Sequence, residues 1–243
     1  MSYSYENYLN NQFKFSYDTN KYDFVKIIKK IFDDLQFPIE KLHMYIENSI
    51  NQEQITIDND TSTMFHKKYY NSPYYNEMII LYQHFIKEVV LPLINCEDTE
   101  FVIQKEPSFR IHLPNNTALG YRPNRGDPDD KIGLHCDGDY GHQITEINFM
   151  LTFGPQFGNN SCYVETSPGN AIFVPLEMNY GEFISFYGNQ CRHYNKRNDT
   201  NISRVSIDFR IIPLSKYDPN CNNISLHSKR KFLIGDYYTI IHR

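Results

Sequence analysis

The chain has 243 residues, 40% hydrophobic and 22% charged, which is enough apolar side chain to bury one sizeable core and too much for a disordered chain. A formal net charge of -5 excludes a general nucleic-acid binder, because neutralising phosphates needs a basic surface, and the longest apolar runs fall far short of the roughly 20 residues that cross a bilayer. Five scattered cysteines without a CxxC pair fit free thiols, and the N-terminus lacks a basic and apolar leader, so the expectation is a cytoplasmic single domain over residues 1–243 with no membrane or nucleic-acid partner.

Residues 1–99 read as a helical support region. "YDFVKIIKKIFDDL" (22–35) places Phe24, Ile27, Ile28, Ile31, Phe32 and Leu35 at i, i+3, i+4 spacing, which predicts an amphipathic helix. A second, largely buried helix is predicted from Ser72, as N-cap, through Pro73 at N1 to Pro92. The polar stretch between them reads as a loop with a short strand at 55–57. From about Glu100 the period changes to two: "SFRIHLP", "EINFMLTF" and "RVSIDFRI" alternate apolar and polar residues. Shorter strand-like runs follow at 132–137, 160–165, 170–174, 183–187 and 191–195, separated by turn signals.

About eight closely spaced strands point to a sandwich or roll. The expected fold is mainly β with N-terminal α-helices: a double-stranded β-helix (jelly roll) over 100–215, helices packed on one sheet, and a C-terminal extension over 216–243. The apolar face of the strands would pack on the helices and the polar face would look into the roll. A polar lining is costly to bury without ligands, so the interior is expected to be a site. The extension holds a basic run, "SKRK", read as solvated surface, and an apolar stretch read as a closing strand or a surface segment.

Within "GLHCDGDYGH" (133–142), His135 and Asp137 lie at i and i+2 at the end of a predicted strand, so both side chains emerge on one face. His193 in "QCRHYNK" is the best third ligand. Two imidazoles and a carboxylate on one facet leave three octahedral positions open, an arrangement that suits non-haem Fe(II) binding a cosubstrate and O2. Eleven residues after His193 comes Arg204, with Ser206 at i+2 on the same face; a planar guanidinium beside a hydroxyl suits a terminal carboxylate. Zinc through His135, Cys162 and Cys191 lacks structural-zinc spacing, and Cys136 points away from the ligand face. His142 lies beyond the strand and is expected to contact substrate or a ligand rather than the metal. Asn148 has three roles open to it: bonding the cosubstrate, orienting a ligand, or a purely structural part in its strand. Arg110 and His112 point to the polar side and, with Tyr140 and His142, are candidate substrate residues; the alternative for Arg110 and His112 is a surface salt bridge.

The order H-x-D, His, R-x-S resembles the Fe(II)/2-oxoglutarate-dependent dioxygenases over roughly residues 100–215. More closely, "HCDGDYGHQITEINFMLTF", "YGEFISFYGNQCRHYNKRNDT" and "SRVSIDFRIIP" are similar to the oxygenase family with members in streptomycin-type aminoglycoside gene clusters. The resemblance implies metal ligation by His135, Asp137 and His193, 2-oxoglutarate held by Arg204 and Ser206, and hydroxylation of a small molecule with succinate and CO2 as coproducts. Related halogenases replace the carboxylate with Gly or Ala, so Asp137 implies hydroxylation, with desaturation, ring closure and epimerisation using the same triad. It also implies a sugar, aminocyclitol or related substrate, in keeping with a charged Gly/Pro-rich loop at 116–133 that reads as a lid. Two other readings stand beside it: a non-redox cupin-like sugar isomerase or sugar-binding protein, and a hydroxylase acting on protein side chains.

Overall fold

The computed structural model describes residues 2–45, 63–116, 132–225 and 228–243. In chain order it runs β1 (Tyr3–Ser4), α1 (Tyr5–Tyr8), β2 (Phe13–Ser16), α2 (Phe24–Ile31), α3 (Met64–Tyr70), α4 (Tyr75–Phe85), β3 (Ile94–Asn95), β4 (Glu100–Gln104) and β5 (Ser108–His112). Then follow β6 (Ile132–His135), β7 (Ile147–Thr152), β8 (Cys162–Glu165), β9 (Phe173–Pro175), β10 (Glu182–Phe186), β11 (His193–Asn195), β12 (Arg204–Pro213) and β13 (Tyr238–His242). The protein is mostly β, in two antiparallel sheets and a short parallel pair of β1 with β3.

The large sheet has seven strands in the order β13-β4-β12-β7-β10-β2, with β5 also paired to β12. The small sheet has four, in the order β6-β11-β8-β9. At ten residues, β12 is long enough to take β5 and then β4 along one edge and β7 along the other. It is buried along its whole length, and its period of two divides the molecule. Val205, Ile207, Phe209 and Ile211 enter the main core with the helices, whereas Arg204, Asp208 and Arg210 line a cavity. In β10 the same alternation sends Phe183 to the helical side and Phe186 to the cavity.

The helices form for the reasons their sequence suggests. Asp23 caps α2 by accepting from the Lys26 N–H at 2.9 Å, and Phe24, Ile27, Ile28 and Ile31 make its buried stripe. The Tyr82 hydroxyl on α4 donates to the Gln104 carbonyl at 2.8 Å, tying that helix to β4. The second predicted helix begins later than expected. Ser72 instead closes a turn, its hydroxyl accepting from Tyr74 N–H at 3.2 Å and its carbonyl from Tyr75 N–H at 3.0 Å, so α4 starts at Tyr75. It loosens to a wider turn at Ile86–Val90 before Pro92 ends it. The N-terminal region is not helical throughout, since β2 extends the large sheet by pairing with β10, and α3 was not foreseen. The strand expected at 55–57 lies outside the described residues.

Phe149 is fully buried and stacks on Phe209 with ring centroids 5.4 Å apart. Phe149→Ala should lower the unfolding free energy in denaturant by about 3–5 kcal/mol. Ile80→Ala, on the exposed side of α4, should change it by less than about 0.5 kcal/mol.

Candidate active site

β6 ends at His135, and the chain turns through a short 3-10 segment, Asp137–Tyr140. The turn is pinned to the loop between β10 and β11: Asp137 N–H donates to the Gly188 carbonyl at 2.9 Å and Gly138 N–H to the Asn189 carbonyl at 3.1 Å. β11 pairs with β6 so that His193 stands opposite His135. Two distant stretches thereby place two imidazoles and a carboxylate together. Asp137 Oδ1 lies 3.8 Å from His135 Nε2 and 3.5 Å from His193 Nε2.

Both rings are oriented from behind. The Nδ1–H of His135 donates to the Gly133 carbonyl, and that of His193 to the Cys191 carbonyl at 3.1 Å. Each ring thereby turns its Nε2 toward Asp137. Burial, with His193 adding to it, holds His135 down to about 4, so the ring is neutral and ready to donate near neutral pH. Burial alone would raise the Asp137 carboxyl. The Arg210 guanidinium overcomes this and holds it well below the carboxylate range.

The other Asp137 oxygen is fully committed. Oδ2 accepts from Arg210 Nη2 at 2.7 Å and from Asn148 Nδ2 at 2.6 Å. Asn148 is held in turn by Gly188, where an added Cβ would come within 2.8 Å of the amide carbon and nitrogen. Of the three roles open to Asn148, orienting the carboxylate is the one this geometry supports; it lies outside the cavity wall. Arg210 also bonds Asp208 and Gln104 and lies 3.9 Å from Glu146, while Arg110 Nε reaches the second Asp208 oxygen at 2.6 Å. Glu146 is fully buried and accepts from His142 Nδ1 at 2.9 Å and from the Tyr238 hydroxyl.

A cavity of about 380 Å³ opens between the sheets in front of this cluster. Its wall includes the three triad residues, and Arg204, Arg110, Tyr140 and His142 of the expected site. Arg204 is buried, its Nη1 donating to the Asn160 carbonyl and to Asn195 Oδ1, each at 3.0 Å. Ser206 follows on the same face of β12 but is not among the residues of the cavity wall; its buried hydroxyl has no hydrogen-bond partner among the described residues. Tyr140 packs edge-on to His135 with centroids 4.9 Å apart. His112 is not on the wall: its ring is buried against the carbonyls of Asn116 and Asn160, at 3.1 and 3.4 Å, which removes it from substrate contact.

One further expectation is corrected. Pairing of β13 with β4 draws the preceding turn across the cavity, so Ser228 and Arg230 of "SKRK" line it instead of forming solvated surface. Among the described residues the metal-competent groups are His135–Asp137–His193 and Asp137–His142–Glu146, so the cysteine-based zinc set does not assemble. Burial pushes the Cys136 thiol up to about 12, leaving it protonated and inert. The lid loop lies, over 117–131, outside the described residues.

The donor set fits a divalent metal: two imidazole nitrogens and one carboxylate oxygen share a facet, with neighbouring carboxylates adding negative charge. The buried guanidinium of Arg204 and the unpartnered Ser206 hydroxyl fit a carboxylate of a cosubstrate.

No family model matches the sequence. Over 186 residues, 76% of this chain and 80% of the other, it is 31% identical to the streptomycin biosynthesis protein StrG of Streptomyces griseus. This chain belongs to the StrG family. Among solved structures, EctD from S. alaskensis with 2-oxoglutarate and 5-hydroxyectoine matches with a TM-score of 0.50 at 10% identity, over 93% of this chain and 77% of that one. SnoK from nogalamycin biosynthesis, described as a non-heme alpha ketoglutarate dependent carbocyclase, matches with a TM-score of 0.47 at 7% identity, over 97% and 93%. The sequence resemblance stands: this StrG-family chain has the fold of the Fe(II)/2-oxoglutarate-dependent oxygenases.

Beside the site, burial holds His66 down to about 4 and His112 down to about 3, with Arg110 and Arg204 respectively adding to it. Both are neutral in the native protein, so below their ordinary value of 6.5 the unfolded chain binds protons that the native chain refuses. Their contribution is present above that value and is lost as pH falls from there toward about 4, at about 1.4 kcal/mol per histidine and pH unit. Urea midpoints of the metal-free protein should fall between pH 7 and pH 5, and the double variant His66→Gln/His112→Gln should flatten that fall.

Proposed function

We propose that the protein is an Fe(II)/2-oxoglutarate-dependent hydroxylase of a small polar metabolite, a sugar, aminocyclitol or related molecule, built on a double-stranded β-helix. The observation that carries this reading is the convergence of two Nε2 atoms and one carboxylate oxygen at a cavity whose wall also holds the buried Arg204. When bound, iron with O2 and 2-oxoglutarate supplies the oxidation of a substrate C–H bond, the cosubstrate leaving as succinate and CO2.

The residues of this chain do the holding and the orienting. His135 and His193 would take the metal through Nε2, and Asp137 through Oδ1, because its other oxygen is spent on Asn148 and Arg210. Arg204 and Ser206 would receive the distal carboxylate of 2-oxoglutarate and so orient the cosubstrate in the cavity. The kinship with StrG supports a place in the making of an aminoglycoside-type metabolite. A non-redox sugar isomerase on the same fold has no need of a buried Arg204 with an unpartnered Ser206, and no described residue favours it over the oxygenase.

Succinate release, screened over metabolite pools with Fe(II), ascorbate and 2-oxoglutarate, should identify the substrate. Asp137→Ala and His193→Ala should each abolish it, and retained turnover in either would sink the assignment. Arg204→Met should leave metal binding intact while raising the KM for 2-oxoglutarate by at least about tenfold, the loss expected for a charge-assisted carboxylate contact.

A further inference from the structure

The guanidiniums on the cavity wall are not equivalent. Arg210 is enclosed by Asp137, Asp208 and Glu146, Arg110 gives its Nε to Asp208, and Arg204 is buried beside Asn160 and Asn195. Arg230 is held differently. It reaches Glu106 through one nitrogen, with Nη2 at 3.1 Å from both carboxylate oxygens, so Nε and Nη1 have no hydrogen-bond partner among the described residues. The side chains of Arg230 and Glu106 are 34% and 31% exposed, which puts the pair on the open part of the wall.

Next to Arg230 stand the hydroxyls of Ser225 and Ser228, which line the same cavity. Ser225 N–H donates to the Arg230 carbonyl at 2.8 Å and Lys229 N–H to the Ser225 carbonyl at 3.0 Å, holding Ser225 against Lys229 and Arg230. Ser225 Oγ accepts from Ser228 N–H, and Ser228 Oγ from Arg230 N–H. A hydroxyl that accepts keeps its own proton, so both can still donate into the cavity. Spare guanidinium N–H groups beside two donor hydroxyls are the chemistry that recognises an oxyanion.

We propose that Arg230, Ser225 and Ser228 form a substrate subsite for an anionic oxygen group, a carboxylate or a phosphate, carried by the small polar substrate. The subsite rests on the oxygenase reading and adds to it the charge of the substrate and the part of the chain that recognises it. Glu106 acts as an internal placeholder, keeping Arg230 extended across the wall until a substrate anion competes for it.

The test uses the full chain loaded with Mn(II) and 2-oxoglutarate, so that Arg204 is occupied. Paramagnetic broadening of the 31P signal of inorganic phosphate and the 13C signal of acetate reports binding near the metal. At least one probe should bind saturably, and the stronger of the two assigns phosphate or carboxylate. Arg230→Gln should weaken that binding at least about fivefold, and Glu106→Gln, which removes the competing carboxylate, should strengthen it. Binding of neither probe, equal binding in Arg230→Gln, or weakening in both variants would overturn the subsite. Failure to load Mn(II) and 2-oxoglutarate is read before any probe is added; it would overturn the oxygenase reading and the subsite with it.

Discussion

Everything at the centre of this protein is arranged around one buried carboxylate. Asp137 has almost no contact with water, and an unpaired charge there would be strongly destabilising. Arg210 and Asn148 answer one of its oxygens, which leaves the other turned toward two imidazoles. That division of labour makes the carboxylate a single-oxygen donor with a fixed direction. The same guanidinium is shared with Asp208, which is shared with Arg110 on the cavity wall. A change of charge at Arg110 is thus linked to the metal-facing carboxylate through three successive ion pairs.

The sheet explains how such a cluster can exist inside a small domain. Because successive residues of β12 point to opposite faces, one strand supplies both core and site: Val205, Ile207, Phe209 and Ile211 pack under the helices, and Arg204, Asp208 and Arg210 face the cavity. Packing of α2 and α4 on the apolar face fixes the register, and a slip by one residue would bury the guanidiniums in the core and expose the apolar row. The small sheet then needs only to present His135 and His193 side by side, which the β6–β11 pairing does.

The triad residues were legible because spacing carries them. His135 and Asp137 share a face at i and i+2, and His193 and Arg204 follow in an order that few other chemistries use. Arg210 was not read as a partner of Asp137, since the two are 73 positions apart, although the polar row Arg204, Ser206, Asp208, Arg210 was the signal that could have raised the question. Glu146 was passed over because two of its partners, Arg210 and Tyr238, come from distant strands. β2 escaped because "FKFS" is a short alternation in a region dominated by helical periodicity. The helix cap at Ser72 was misplaced because a Ser-Pro pair serves a turn as well as it serves a helix start. Arg230 could not be placed from local pattern at all, because a basic run reads as solvated surface until β13 pairs with β4 and carries the turn to Glu106, 124 positions earlier.

The joint binding of metal and cosubstrate is the claim on which the rest stands, and it can be read without knowing the substrate. Under anaerobic conditions, Fe(II) and 2-oxoglutarate should together give a weak visible charge-transfer band that neither gives alone. A protein that binds both, by direct measurement of each, and shows no band would contradict chelation of the cosubstrate at the His135–Asp137–His193 centre.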